Sequence, residues 1–391
     1  MARHDNHPLP PLTPAPRPRT AAVRATPPWP HAGHGILQPL VVALAIAMPL
    51  HVLAQTKPPV YAVPELPKNM GWRIYGNGGS APVITPNTRG GQDMTVQQAS
   101  QRAIYNWASF NIGEASSVTF DMAQSGSSAL NRIHDLNPSY IYGSLKATNG
   151  GEIVLYNRNG ILFGGGAQVN VGSLIATTLS PRDEDFKNGF SANVLGGDPA
   201  FSYRYDAENS AGLFSSSFVR VDAGAQLTSA EGGRIFLFAQ KVTNNAGTIT
   251  SPGGQVVLGA GAEAYLRLPT GDSLYASEVN ANVPSVRGLL VDLGRADLGQ
   301  AGDGRVENLA GANPAAGVYS PRGNVTLVGM AVNQSGRVSA TTSVSQNGSI
   351  LLLAQGGTSN AGIGSGSPSY KRAQLNGDLL LGSGSRCRCR R

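Results

Sequence analysis

The chain has 391 residues, 50 of them glycine, with 14% charged and 6% aromatic side chains. Glycine without a three-residue period excludes collagen and recurring short apolar blocks exclude disorder, so the composition describes an all-β body with many corners. The formal charge of +7 gathers at the ends, and residues 55–385 hold 22 basic and 22 acidic side chains, which leaves no basic face for a phosphate backbone and argues against nucleic acid as a partner.

Residues 1–35 hold nine prolines between Pro8 and Pro30 and carry Arg3, Arg17, Arg19 and Arg24. Leu40 to Leu50 is then an apolar run too short to anchor in a bilayer, and Val52-Leu53-Ala54 supply modest and small residues before Gln55. This order predicts a secretory signal peptide over 1–54 with an extended basic, proline-rich start, cut between Ala54 and Gln55. No later segment reads as a helix able to cross a membrane. Residues 55–93 are dense in proline and read as a lead-in that caps the body, with Val83-Ile84 its expected strand.

Residues 94–180 form the densest block. Val96, Ala99, Ala103, Ile104 and Trp107 fit a helical face, while Ala103, Tyr105 and Trp107 also alternate; a strand near Trp107 to Ile112 is the expectation. Further on, Gly150-Gly151-Glu152-Ile153-Val154-Leu155-Tyr156-Asn157-Arg158-Asn159-Gly160-Ile161-Leu162-Phe163 reads as strand, tight turn, strand. Gly164-Gly165-Gly166 reads as a corner. Residues 181–217 interrupt the pattern and are expected to be a surface excursion, with Asp183-Glu184-Asp185 a solvated face lacking the alternating ligands of a calcium loop.

A repeat governs residues 218–365. Gly232-Gly233-Arg234-Ile235-Phe236-Leu237-Phe238-Ala239 returns 21 residues later as Gly253-Gly254-Gln255-Val256-Val257-Leu258-Gly259-Ala260, and Val221 to Val242 keeps that offset. Gly323-Asn324-Val325-Thr326-Leu327 and Gly348-Ser349-Ile350-Leu351-Leu352 stand 25 apart, and Val332 to Val338 echoes Val242 to Ile249. Units of this length cannot bury their own apolar face and must stack. The fold class that follows is all-β, a right-handed parallel β-helix with coils of about 21–25 residues, an N-terminal cap and surface excursions, roughly ten to thirteen coils in all. Ile235, Leu237 and Ala239 should face inward above Val256, Leu258 and Ala260. Asn244, Asn245 and Asn333 should sit at corners, with Gly247 and Gly336 supplying positive φ.

Catalytic constellations are thin. His134 is the single histidine after residue 54, and both cysteines, Cys387 and Cys389, lie in the last five residues, so neither a histidine-based nucleophile nor a zinc site is supported. No cofactor is expected. Acids such as Asp222, Glu231 and Glu263 are scattered, which keeps a polysaccharide-active β-helix enzyme as an alternative.

The order of Ser100 to Gly113, Ala129-Leu130-Asn131-Arg132-Ile133, Asn137-Pro138-Ser139, Glu152 to Gly164 and Ala167 to Val171 resembles the N-terminal secretion domain of the filamentous haemagglutinin family, closest to its high-molecular-weight adhesin branch. That resemblance implies a β-helix recognised in the periplasm by paired modules of a dedicated outer-membrane transporter, and a product that is secreted or held at the cell surface. It implies transporter-recognition turns at Asn137, Pro138, Asn157, Asn159 and Gly160, although Arg158 replaces the proline of the family's Asn-Pro-Asn-Gly turn. A host-cell glycan or receptor is the further partner it suggests, and a haem- or haemopexin-binding passenger a further alternative. Residues 366–391 are expected to be a C-terminal tail, and because Gly382 to Arg391 resembles nothing before it, a truncated or frameshifted reading is the expectation there.

Overall fold

The computed structural model describes residues 65–76, 81–190, 199–203, 216–267, 290–294, 304–340, 348–356 and 375–388. The chain divides into two units, 1–58 and 59–391, and every described residue lies in the second. The signal peptide and the Ala54–Gln55 cut fall outside the described residues.

Three sheets run the length of the described body, two of ten strands and one of seven. The chain visits them in a fixed order. Glu152–Asn157 lies in the first sheet, Ile161–Phe163 in the second, Gln168–Val171 in the third, and Ser173–Thr177 returns to the first beside Glu152–Asn157. Neighbouring strands are parallel, so each circuit is one coil of a parallel β-helix. The core threads the middle: Ile235, Leu237 and Ala239 are fully buried and in register with Val256, Leu258 and Ala260, as the repeat predicts.

Other expectations shift. The 21-residue offset does not extend to the second sheet, where Val219 rather than Val221 pairs with Val242 and Val221 faces Asn244. The lower coil is longer by two residues, one in the corner after Asp222 and one in the strand Gln226–Ser229 against Thr248–Thr250. Among the described residues the first sheet holds eight parallel strands and the third nine, fewer than the length suggests. Chain is spent on detours instead: Leu174 pairs with Ile235, and Val256 with Val325.

The paired glycines of the repeat have two separate jobs. Gly232 and Gly253 take positive φ (73° and 61°) at the turn into the first sheet. Gly172, Gly233, Gly254 and Gly323 then stack in a column, where a Cβ on each would run into the carbonyl oxygen of the glycine one coil below. Gly247 and Gly336, by contrast, are absent from the positive-φ positions, and Ala246 (φ 60°) makes that turn. These two are small because Val221 and the Leu309 carbonyl crowd them. Asn244 is likewise a buried strand residue: its amide donates to Asn308 at 2.8 Å, and Asn308 donates to Gln334 at 2.8 Å, a polar ladder inside the helix.

Residues 92–113 hold two strands and no helix, Gln92–Gln98 and Arg102–Ser109. The second ends before Ile112 because the chain has by then turned the corner, and Ile112 bridges to Ile141 of the second sheet. Trp107 is core, its indole N–H donating to Asn131 at 2.9 Å. Lys68–Tyr75 and Val83–Pro86 pair antiparallel with the first coil and cap two of the three sheets.

The described residues of the excursion around Phe186, Phe190 and Phe201 pack onto the coil. The helix Asp183–Lys187 and the strands Ser180–Pro181, Phe201–Ser202, Glu263–Arg267 and Leu290–Gly294 make an apron. Phe186, Phe190 and Phe201 in it pack against Phe236 and Phe238 of the first sheet and bury its outer row, Ile104, Leu130, Val154, Ile175 and Val257. Two of the acidic triplet are drawn into this, Asp185 buried and paired with Arg182 and Asp183 paired with Arg132, while Glu184 stays exposed. Within 366–391, Asp378–Leu381 and Arg386–Arg388 stack in parallel on Ala331–Gln334 and Arg337–Ser339.

Candidate functional site

The detours share one origin. Each leaves the coil between the first and second sheets, after Thr177, after Ala260 and after Gly356, and the longer turn 134–138 lies at the same corner. Between the cap and the apron this corner is formed by residues 134–138 of one coil and 158–160 of the next.

Two side chains bind these turns together. Asn157 is fully buried, and its amide donates to the Asn137 carbonyl at 3.1 Å and to Ser139 Oγ at 3.0 Å, while its own Oδ1 accepts the Asn159 N–H at 2.9 Å. Asn159 reaches down and donates to the Asp135 carbonyl at 2.6 Å. Gly160, at φ 134°, lies against the Phe218 ring and main chain, and its carbonyl accepts the Ser139 N–H at 2.9 Å. Below, Asp135 Oδ1 accepts the N–H of Asn137 at 2.9 Å, and Asn111 Oδ1 accepts the N–H of Tyr140 at 2.8 Å.

The five residues singled out from the sequence therefore meet at one corner, but they differ in what a partner could touch. Asn157 and Gly160 are buried, Pro138 and Asn159 half-buried, and Asn137 exposed. Between them stands Leu136, 77% exposed, a residue the sequence reading passed over because an apolar side chain in a short turn carries no mark of exposure. His134 is also exposed, its Nε2 2.9 Å from Asn106 Oδ1. Partial burial holds its pKa below the ordinary histidine value, and Arg132 and then Arg158 add to that. At neutral pH the corner thus presents a neutral imidazole, an exposed leucine and Arg158.

The profile of the TPS secretion domain matches residues 77–366. The heme/hemopexin-binding protein of Haemophilus influenzae is 40% identical over 85 residues, 22% of this chain and 9% of that protein. The protein of the same name from strain Rd is 39% identical over 88 residues, again 22% of this chain and 10% of that one. The chain thus spans about a tenth of the length of the curated relatives it matches. Among solved structures, the secretion domain of HMW1 from Haemophilus influenzae superposes with a TM-score of 0.55 at 20% identity, covering 74% of this chain and 63% of that one, and has the same fold. The filamentous hemagglutinin secretion domain gives a TM-score of 0.38 at 13% identity, covering 83% of this chain and all of that one. With its profile matched over most of its length, this chain belongs to the TPS secretion domain family, the domains of two-partner-secretion exoproteins that an outer-membrane transporter recognises and exports to the cell surface or medium.

Proposed function

We propose that the corner of residues 134–138 and 157–160 is the surface on which the periplasmic modules of the transporter dock. The observation that carries this is the pair of hydrogen bonds from Asn157 and Asn159 to the carbonyls of Asn137 and Asp135, which fuse two turns from successive coils into one rigid patch around exposed Leu136. An exposed apolar anchor in a pre-ordered polar rim is what a docking module can grip without a further ordering cost. Asn157, Gly160 and Asn159 are assigned the task of shaping the patch, and Leu136, Asn137 and Arg158 that of touching the partner.

Export from cells with and without the candidate transporter tests the proposal, comparing the parent chain with Leu136→Ser and Asn157→Asp. Transporter-dependent release that falls in both variants, with Leu136→Ser still folded, supports docking at this corner. Undiminished export of Leu136→Ser together with Asn137→Ala and Arg158→Ala removes it.

Past the outer membrane, the proposed role is that of a haemagglutinin-like adhesin engaging a host-cell glycan or receptor, which adherence of the exported protein to host cells tests. The role is recognition rather than catalysis. Support comes from how the acids are used: Glu152 pairs with Arg234, Asp222 with Arg220 and Glu231 with Arg322, each held by a neighbour rather than opposed across a cleft.

A further inference from the structure

The corner of residues 134–138 and 157–160 does not stop at Gly160. Successive strands of the second sheet carry it on: Ile161 is in register with Val219, Val219 with Val242 and Val242 with Val306, and all four lie in the core. The residues just before the last three, Phe218, Lys241 and Arg305, therefore face outward in one column that begins at Gly160. Direct contact joins the column to the corner. The space that a side chain at Gly160 would fill is taken by the Phe218 ring, whose nearest carbon stands 3.1 Å from that position. Phe218 and Lys241 are half-buried and Arg305 is exposed. Coils lie on both sides of these residues, with Arg305 itself pairing onward with Ala331, so their setting is that of the middle of the body.

Charge along the column is uneven. Lys241 and Arg305 are direct neighbours in the ladder, one strand spacing of about 4.8 Å apart, and like charges held side by side repel. The acids of the same face are taken up by other partners. Asp222 accepts from Arg220 at 2.6 Å and from Asn245 at 3.2 Å, and Glu307 accepts from Thr243 at 3.3 Å. Arg305 stands 3.8 Å from Glu307, beyond hydrogen-bonding distance. Lys241 forms no ion pair among the described residues. A ring followed by two adjacent cations is complemented by an apolar seat with carboxylates next to it.

We infer that the surface proposed to dock the transporter continues up this column, and that the transporter module meeting it presents an acidic face to Lys241 and Arg305 and an apolar seat to Phe218. This extension rests on the docking reading of the corner. Association of the full chain with the candidate transporter, solubilised in detergent and immobilised, tests it, with Leu136→Ser as the measure of the corner itself. The association rate of the parent chain should fall as ionic strength rises. Lys241→Gln/Arg305→Gln should slow association on the order of tenfold and flatten that salt dependence, and Lys241→Glu/Arg305→Glu should slow it further. Phe218→Ser should instead speed dissociation, also on the order of tenfold. All these side chains face outward, and circular dichroism spectra matching the parent verify the fold. If Leu136→Ser weakens binding while the charge variants associate as fast as the parent or faster, or Phe218→Ser dissociates no faster, the corner stands and the extension is overturned. If Leu136→Ser binds as the parent does, the corner falls and the extension with it.

Discussion

Asn157 donates its buried amide to the main-chain carbonyl of Asn137 at 3.1 Å, so a side chain of one coil fixes the turn of the coil before it. This separates two roles that a shared motif runs together. Replacing Asn157 with Ala leaves Ser139 Oγ and the Asn159 N–H without their partner inside the corner, a loss of about 1–3 kcal/mol. Urea unfolding should show this for Asn157→Ala, while Leu136→Ser, which touches little, should unfold within about 0.5 kcal/mol of the parent. Equal stabilities for the two variants would contradict the division into a shaping residue and a contacting one.

The glycine column makes a sharper demand on sequence. At Gly254 the obstacle to a Cβ is the carbonyl of Gly233, main chain that cannot swing aside. Gly254→Ala is expected to cost about 3 kcal/mol, at the high end of overpacking. Gly126→Ala is the control: its φ is 68° but nothing lies within 4 Å of the added carbon, so only the left-handed backbone is penalised, at about 1 kcal/mol. The difference between the two midpoints in denaturant checks the assignment.

Much of the coil was legible because its causes are local. A glycine pair before an alternating apolar strand marks the same corner each time, and Ile235 over Val256 follows from spacing alone. The apron was not legible. Phe201 pairs with Ala264, across a detour and more than a full coil, and the phenylalanines that bury the outer face look in sequence like a loop with stray aromatics. Val306 was missed for a related reason: it stands between Val242 and Val332 in the ladder, but the preceding detour hides its repeat spacing. At the corner of residues 134–138 and 157–160, sequence resemblance brought the asparagines forward, and only burial shows that Asn157 faces inward and Leu136 outward.

His134 gives the corner a pH signature. Partial burial, Arg132 and Arg158 all disfavour the imidazolium, so the folded pKa lies below 6.5. A depressed histidine contributes stability that is fully present above the unfolded value and is lost as pH falls through 6.5 and then the folded pKa, because the unfolded chain takes up the proton first. An NMR titration of the single imidazole in the body should therefore find a midpoint below 6.5, and Arg158→Gln should raise it without reaching that value, since burial and Arg132 remain. A midpoint unmoved by Arg158→Gln would separate the arginine from the histidine.

The apron is attached by rings rather than by the coil ladder, and its loss should be local. Phe201 is fully buried, its ring 5.0 Å from that of Phe190 and 5.6 Å from that of Phe238. Phe201→Ala removes the residue that joins the helix side of the apron to the first sheet, at a cost of about 3–5 kcal/mol if the apron stays down. The three-sheet coil keeps its own core, in which Ile235, Leu237 and Leu258 are separate from this cluster. Opening is therefore cheaper than unfolding, and the variant should bind a hydrophobic dye at the uncovered row of Val154, Ile175 and Phe236 while amides of the inner coil stay protected from exchange. Protection lost evenly over apron and coil would instead show the two to be one cooperative unit.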